Sequence, residues 1–232
     1  MSTRELKSAL QSRFAWWTNR APAIIFDRLC GVDTIPGSFA GDRAAAEFGR
    51  VYAYDPTPWR VLSRSLRVAE LRAENFTFVD VGCGKGRVLL SALALPFERI
   101  IGVEFSPALC RTAQQNITNA RFISRKCTAI EIICSDATKY RIPRLPMIIF
   151  FYNPFPFEIM EIVLSNIVNS YLEEARPIYL MFYACSSTMP SIAKFLPART
   201  GGRARRCVST TIGGRTVNIF ELPHRQVQTV GL

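Results

Sequence analysis

Phe78-Val79-Asp80-Val81-Gly82-Cys83-Gly84-Lys85-Gly86-Arg87-Val88-Leu89-Leu90 is the stretch that decides the fold. It opens apolar and breaks at glycines 82, 84 and 86. A helical apolar pattern follows at Val88, Leu89, Ala92 and Leu93. A buried strand that breaks into a glycine turn and enters a helix opens the nucleotide-binding half of a doubly wound α/β sheet. The glycines allow a sharp turn and let a ligand approach bare main chain. The helix start is then expected to offer N–H groups to that ligand.

The spacing narrows the ligand. A dinucleotide site carries G-x-G-x-x-G with a pyrophosphate on the helix end; here the third glycine comes one residue early. Asp80 stands at the strand tip, where a carboxylate would repel a diphosphate and suit a ligand with a cationic end. A second strand pattern, Arg99 to Glu104, ends in an acid followed by Phe105. A carboxylate at that place grips ribose hydroxyls in nucleotide-binding α/β folds. Glycine loop, strand-tip acid and ribose acid together resemble the class I methyltransferases that use S-adenosylmethionine. The resemblance implies that Asp80, Gly82, Cys83, Gly84, Gly86, Glu104 and Phe105 hold this cofactor, whose ammonium and sulfonium supply the positive charge.

Further along, the resemblance assigns more residues. Asp136 and Ala137 stand just past the third strand pattern, Ala129 to Cys134. In the family an acid there accepts a hydrogen bond from the adenine amine, which suits a group with only acceptors to offer; as a bare residue it also reads as a turn former. Ahead of the glycine loop, Tyr54, Pro56 and Thr57 resemble a Tyr-x-Pro-Thr segment near the cofactor's methionine part in lysine-directed members. The alternative is a plain turn before a capped helix. Pro146 to Tyr152 reads as a strand buried on both faces, and ends in Asn153-Pro154-Phe155. Amine-directed members carry Asn/Asp-Pro-Pro-Tyr/Phe here, whose Asn and proline carbonyl accept from the target amine. With one proline, this chain looks closer to the Asn-x-Phe of the non-SET histone-type lysine methyltransferases. Asn153, Pro154 and Phe155 are the implied catalytic residues, with a turn residue and a core phenylalanine as the bland alternative. Tyr54, Phe151, Tyr152, Phe155 and Phe157 could line an apolar amine pocket or belong to the core.

The rest of the chain fits one such domain. Its 232 residues are 49% apolar, enough for a sizeable core, and no run approaches the ~20 apolar residues of a membrane span. Seven scattered cysteines form no C-x-x-C pair, and His224 is the single histidine, so a zinc site is not expected. The cysteine usage reads as a reducing, cytoplasmic setting. The net charge of +11 favours anionic partners, nucleic acid or an acidic protein surface among them, or is a solvated basic surface. Arg60, Arg64 and Arg67 share one helical face.

Residues 3–18 pattern as a helix with Leu6, Leu10, Phe14 and Trp17 on one face, and residues 21–41 as loop with one helical turn. Thr57 and Pro58 predict a helix start running to Arg72, and Ser106-Pro107 another. Pro156 opens a long helix with Ile159, Ile162, Val163 and Ile167 on one side. A fifth strand spans 177–184, a short helix 189–196, and Gly213-Gly214 turns a closing hairpin.

The expected architecture is a Rossmann-like doubly wound sheet, mostly parallel, with a C-terminal antiparallel hairpin and helices on both faces. Residues 1–50 read as a helical extension, 51–222 as the catalytic domain and 223–232 as a tail. The expected activity is methyl transfer to an amine, a protein lysine first. RNA or small-molecule acceptors, and a non-catalytic cofactor-binding domain, stay open.

Overall fold

The computed structural model describes residues 24–35 and 56–224; the 3–18 helix and Tyr54 fall outside them. In chain order the elements are α1 (24–30), α2 (Val61–Val68), β1 (Thr77–Val81), α3 (Arg87–Leu93), β2 (Arg99–Glu104), α4 (Pro107–Asn119) and β3 (Ile130–Cys134). They continue with β4 (Met147–Tyr152), α5 (Phe157–Glu173), β5 (Ile178–Tyr183), α6 (Met189–Thr200), β6 (Arg205–Ile212) and β7 (Arg215–Leu222). The seven strands lie in the order β3-β2-β1-β4-β5-β7-β6. The first five are parallel, and β7 pairs antiparallel with both β5 and β6. This is the mostly parallel sheet with a closing hairpin that the sequence led us to expect.

Strand order reverses between β1 and β4, which pair in parallel, so a crevice opens above their carboxyl ends, where ligands bind in such sheets. The central strands are apolar because both faces are covered. On one face Val79, Ile149, Leu180 and Phe182 pack with Val163, Ile167 and Leu164 of α5 and Ile192 of α6. On the other, Phe78, Ile148, Phe150 and Met181 pack with Leu62 and Leu66 of α2, Leu89 of α3 and Ile117 of α4. Gly102 in β2 lets α3 settle onto the sheet, since an added Cβ would lie 2.6 Å from Leu89 Cδ1.

Several expected boundaries move. Helix α1 makes two turns where loop with a single helical turn was expected. Helix α2 starts after Arg60 rather than Thr57, because a turn closes first with Val61 N–H donating to the Pro58 carbonyl at 3.0 Å. It ends at Val68, short of Arg72, before Glu70 takes a left-handed φ of +54°. Ser106 does cap α4, its hydroxyl accepting from Leu109 N–H at 3.4 Å. Helix α6 runs on to Thr200 and stops at Gly201, φ +61°. Gly213 and Gly214, φ +60° and +79°, make the turn between β6 and β7, as a two-residue hairpin with twisted strands requires. In α5 the face against the sheet is Met160, Val163, Leu164, Ile167, Val168 and Tyr171, while Ile162 stays 49% exposed. The helix is apolar on two adjacent sides, so apolar spacing alone did not choose between them.

Candidate active site

The crevice is a cavity of about 1020 Å³, room for a cofactor and part of a second molecule by the usual size of ligand sites. Its floor comes from the tips of β1 and β2. Its rim comes from the ends of β3, β4 and β5, the start of β7, and the first turns of α5. Of the residues expected to bind or react, Thr57, Asp80, Gly82, Cys83, Gly84, Glu104, Phe105, Asp136, Ala137, Asn153, Pro154 and Phe155 all line it.

Gly86 does not. It turns the chain into α3 at φ +82° and faces Ala113 of α4, 3.2 Å from where its Cβ would stand. It was expected to bind the cofactor, and it stands behind the loop, packed against α4, off the described cavity wall. The loop amides are held within the fold. Gly82 and Cys83 N–H donate to the Val103 carbonyl at 2.8 and 3.1 Å, and Gly86 N–H to the Cys83 carbonyl at 2.9 Å. Gly84 N–H donates to Glu104 Oε2 at 2.9 Å. The loop therefore supplies space and shape, with its amides held inward.

Glu104 is organised by backbone: Oε2 accepts from Gly84 and Oε1 from Ser106 N–H, at 2.9 Å each. Burial raises its pKa against the opposing pull of these amides. Asp80, 3% exposed, is pushed up to about 8 by burial, with the neighbouring Glu104 charge adding to it. Two buried carboxyls side by side hold a net affinity for positive charge. Burial also drives the Cys83 thiol well upward, so it is a neutral wall group. Asp136 caps the 3₁₀ turn Ala137–Lys139, its Oδ1 accepting from Thr138 N–H at 2.8 Å and Thr138 Oγ1 at 2.7 Å. It is thus both a turn former and a cavity-wall acid.

The loop is braced from behind by residues 27–35. Lys85 is fully buried and donates to the Ile35 carbonyl at 2.7 Å, with Asp33 Oδ1 at 3.4 Å. Arg87 donates to Thr34 Oγ1 at 2.7 Å, lies 5.3 Å over the Trp59 ring, and approaches Asp27 at 3.8 Å. Asn116 of α4 accepts from Asp33 N–H at 2.7 Å and donates to the Asp33 and Lys85 carbonyls at 2.7 and 2.8 Å.

At the other end stands Asn153, in a left-handed conformation with φ +39°. Its N–H donates to Cys185 Sγ at 3.3 Å. Its side-chain Oδ1 is buried and has no hydrogen-bond partner among the described residues, although a buried acceptor left alone costs about 1–3 kcal/mol. Pro154 presses on the glycine loop, 2.9 Å from where a Gly82 Cβ would be. Of the aromatic candidates, Tyr152 and Phe155 line the cavity. Phe151 is core, stacked on Phe182, and Phe157 packs edge-on against Phe195.

Sequence reasoning missed Arg215 and Ala184. Both line the cavity: Ala184 follows the carboxyl end of the parallel strand β5, and Arg215 is there because β7 runs antiparallel, which brings its first residue to the ligand end of the sheet; Ala184 N–H donates to Thr216 O at 2.9 Å. The Gly213-Gly214 turn was the available signal, since it fixes which end of β7 points at the crevice.

Comparison with known proteins agrees with this architecture. Residues 78–168 match the family described as "Methyltransferase domain". A protein-lysine N-methyltransferase of Saccharolobus islandicus is 31% identical over 90 residues, 37% of this chain and 55% of the relative. The match thus spans about half the length of that relative. Among solved structures, the human methyltransferase 10 domain containing protein aligns with TM-score 0.59 at 10% identity, over 90% of this chain and 97% of the other. The ribosomal protein L11 methylase of Lactobacillus delbrueckii aligns with TM-score 0.50 at 14% identity, over 76% and 83%. At these identities the structures speak to fold alone. Among the described residues no helix is long and apolar enough to cross a membrane.

Proposed function

We propose that this chain, which carries a class I methyltransferase domain, uses S-adenosylmethionine to methylate an amine, a protein lysine side chain in the first place. The observation that carries the reading is the buried, unpartnered Oδ1 of Asn153 on the cavity wall. An acceptor held there at the expense of backbone strain and desolvation suits an N–H donor that arrives with substrate.

The cofactor fits what is present. Gly82 leaves bare backbone on the cavity wall, where an added Cβ would strike Pro154, and the paired acids Asp80 and Glu104 ask for positive charge. S-adenosylmethionine, when bound, supplies a methyl group on a cationic sulfur that is already a good leaving group. Asp80 would face its charged end, Glu104 its ribose and Asp136 its adenine amine. Asn153 Oδ1 and the Pro154 carbonyl would hold the amine N–H groups so that the lone pair points inward. Phe155, Ile159 and Ile162 exclude water from that end. No acid–base dyad is needed, because alignment and exclusion of water carry the rate.

The relative's name supports a lysine acceptor. The exposed row of Arg60, just ahead of α2, with Arg64 and Arg67 on it supports RNA as the competing acceptor. Tritium-labelled S-adenosylmethionine incubated with the protein and a cell extract, then separated into protein, RNA and small-molecule fractions, decides. Label in protein, released as methyl-lysine on hydrolysis, is the expected result; label confined to RNA removes the lysine reading.

A further inference from the structure

Arg215 reaches from the start of β7 across the end of β5 to the end of β4. Its guanidinium lies 5.3 Å from the centroid of the Tyr152 ring and donates to the Tyr152 hydroxyl. Both side chains line the cavity, and Tyr152 directly precedes Asn153. A face of the Tyr152 ring is therefore already taken by a cation. A protonated lysine entering here would find a like charge where an open ring face would have attracted it.

We propose that Arg215 is a specificity-determining residue that keeps the acceptor amine uncharged and turns its ammonium form away; the inference rests on the amine reading above. The nitrogen must be neutral because its lone pair forms the N–C bond as the S–C bond breaks and that bond's electron pair stays on sulfur. The methylated ammonium then sheds its extra proton to solvent. A free lysine ammonium has a pKa near ~10.4, so very little is neutral at pH 7. A fixed neighbouring cation lowers that value, the device that activates amine nucleophiles elsewhere.

Among the described residues, the other charged and titratable groups on the cavity wall are Asp80 on β1, Cys83 in the glycine loop, Arg87 on α3, Glu104 on β2 and Asp136 after β3. Glu158, in the first turn of α5, is the acid on the rim beyond Asn153. Asp80 and Glu104 belong to the floor beneath the cofactor. Arg215 and Glu158 thus act on the amine with opposite signs. Arg215 is solvent-exposed as a residue, so the shift is modest, about half a pH unit to one unit.

The test uses the full-length protein, tritium-labelled S-adenosylmethionine and total extract protein as acceptor, with rates followed from pH 6.5 to 10. In R215Q the midpoint of the rising limb should move up by about half a unit or more. It should return to the wild-type position in R215K and move down in E158Q. R215M is the second neutral variant, and each variant is first matched to wild type in melting temperature and in stabilisation by S-adenosylhomocysteine. A midpoint in R215Q and R215M equal to wild type, with label still entering lysine, overturns the role of Arg215 and leaves the lysine reading standing. Label that never enters protein overturns both.

Discussion

A methyl group placed on Gly82 would lie 2.9 Å from Cβ of Pro154, closer than such carbons approach in folded proteins. The glycine loop after β1 and the Asn-Pro-Phe turn after β4 are therefore in direct contact, and one small residue sets their separation. Gly82 also holds φ +77°, which an alanine adopts only with strain. Gly82→Ala should cost about 1–2 kcal/mol of stability and weaken S-adenosylhomocysteine binding more than tenfold, as read by thermal unfolding and calorimetric titration. Full retention of binding would mean that the contact does not shape the cofactor floor.

Asp80 gives the pH dependence. Its pKa in the ligand-free protein is raised to about 8, against about 3.9 for an unfolded chain. Between these values the folded protein holds a proton that the unfolded chain has released. Its contribution to stability is therefore largest at the acid end and falls as pH rises toward 8. A cationic ligand reverses the preference and favours the carboxylate. Affinity for S-adenosylmethionine should rise with pH up to about 8 and then level off, with a proton released on binding at pH 7. Titration in buffers of different ionisation enthalpy measures that proton. Asp80→Asn should abolish both the release and the fall in stability; unchanged release in the variant would place the titrating group elsewhere.

Asn153 sets function against stability. It combines a left-handed φ of +39° with a buried acceptor that nothing satisfies. Asn153→Gly removes both penalties and should raise the free energy of unfolding by about 1–2 kcal/mol. Methyl transfer should fall at least a hundredfold while S-adenosylhomocysteine binding stays within a few-fold. A variant that loses stability instead would show that Oδ1 has a structural partner in solution.

How much of this could be read from the chain follows from where the signals are local. The β1 tip, the glycine turn and the acid ending β2 are legible because backbone geometry and ligand chemistry act within a few residues. Closure by β6 and β7 is legible because Gly213-Gly214 permits little else. The placement of Gly86 against Ala113 was not legible, because a glycine that packs against a helix looks the same in sequence as one that faces a ligand. The inward-held amides of Gly82, Cys83 and Gly84 depend on Val103 and Glu104 across a strand pair. Arg215 meets Tyr152 across 63 residues, and only the register of three strands brings them together. The face of α5 is ambiguous for a different reason: sheet and cavity both accept apolar residues, so hydrophobic spacing does not separate wall from core.

The brace behind the glycine loop gives the last prediction. Asn116 is 3% exposed and joins α4 to both Asp33 and Lys85 through three hydrogen bonds of 2.7 to 2.8 Å. Truncation to alanine removes all three of these bonds to the main chain of residues 33 and 85, a loss of about 2–3 kcal/mol. The segment near Asp33 should then loosen before the sheet unfolds, because its buried tie to α4 is gone while it stays held through Lys85, Arg87 and the Arg121 N–H to Cys30 carbonyl bond. Asn116→Ala should show faster hydrogen exchange in residues 27–35 and in the glycine loop together, with little change in β4 and β5. Cofactor affinity should fall severalfold, since the loop's shape and not its amides makes the floor. Exchange that quickens in 27–35 alone, with affinity intact, would show that the loop keeps its form without this support.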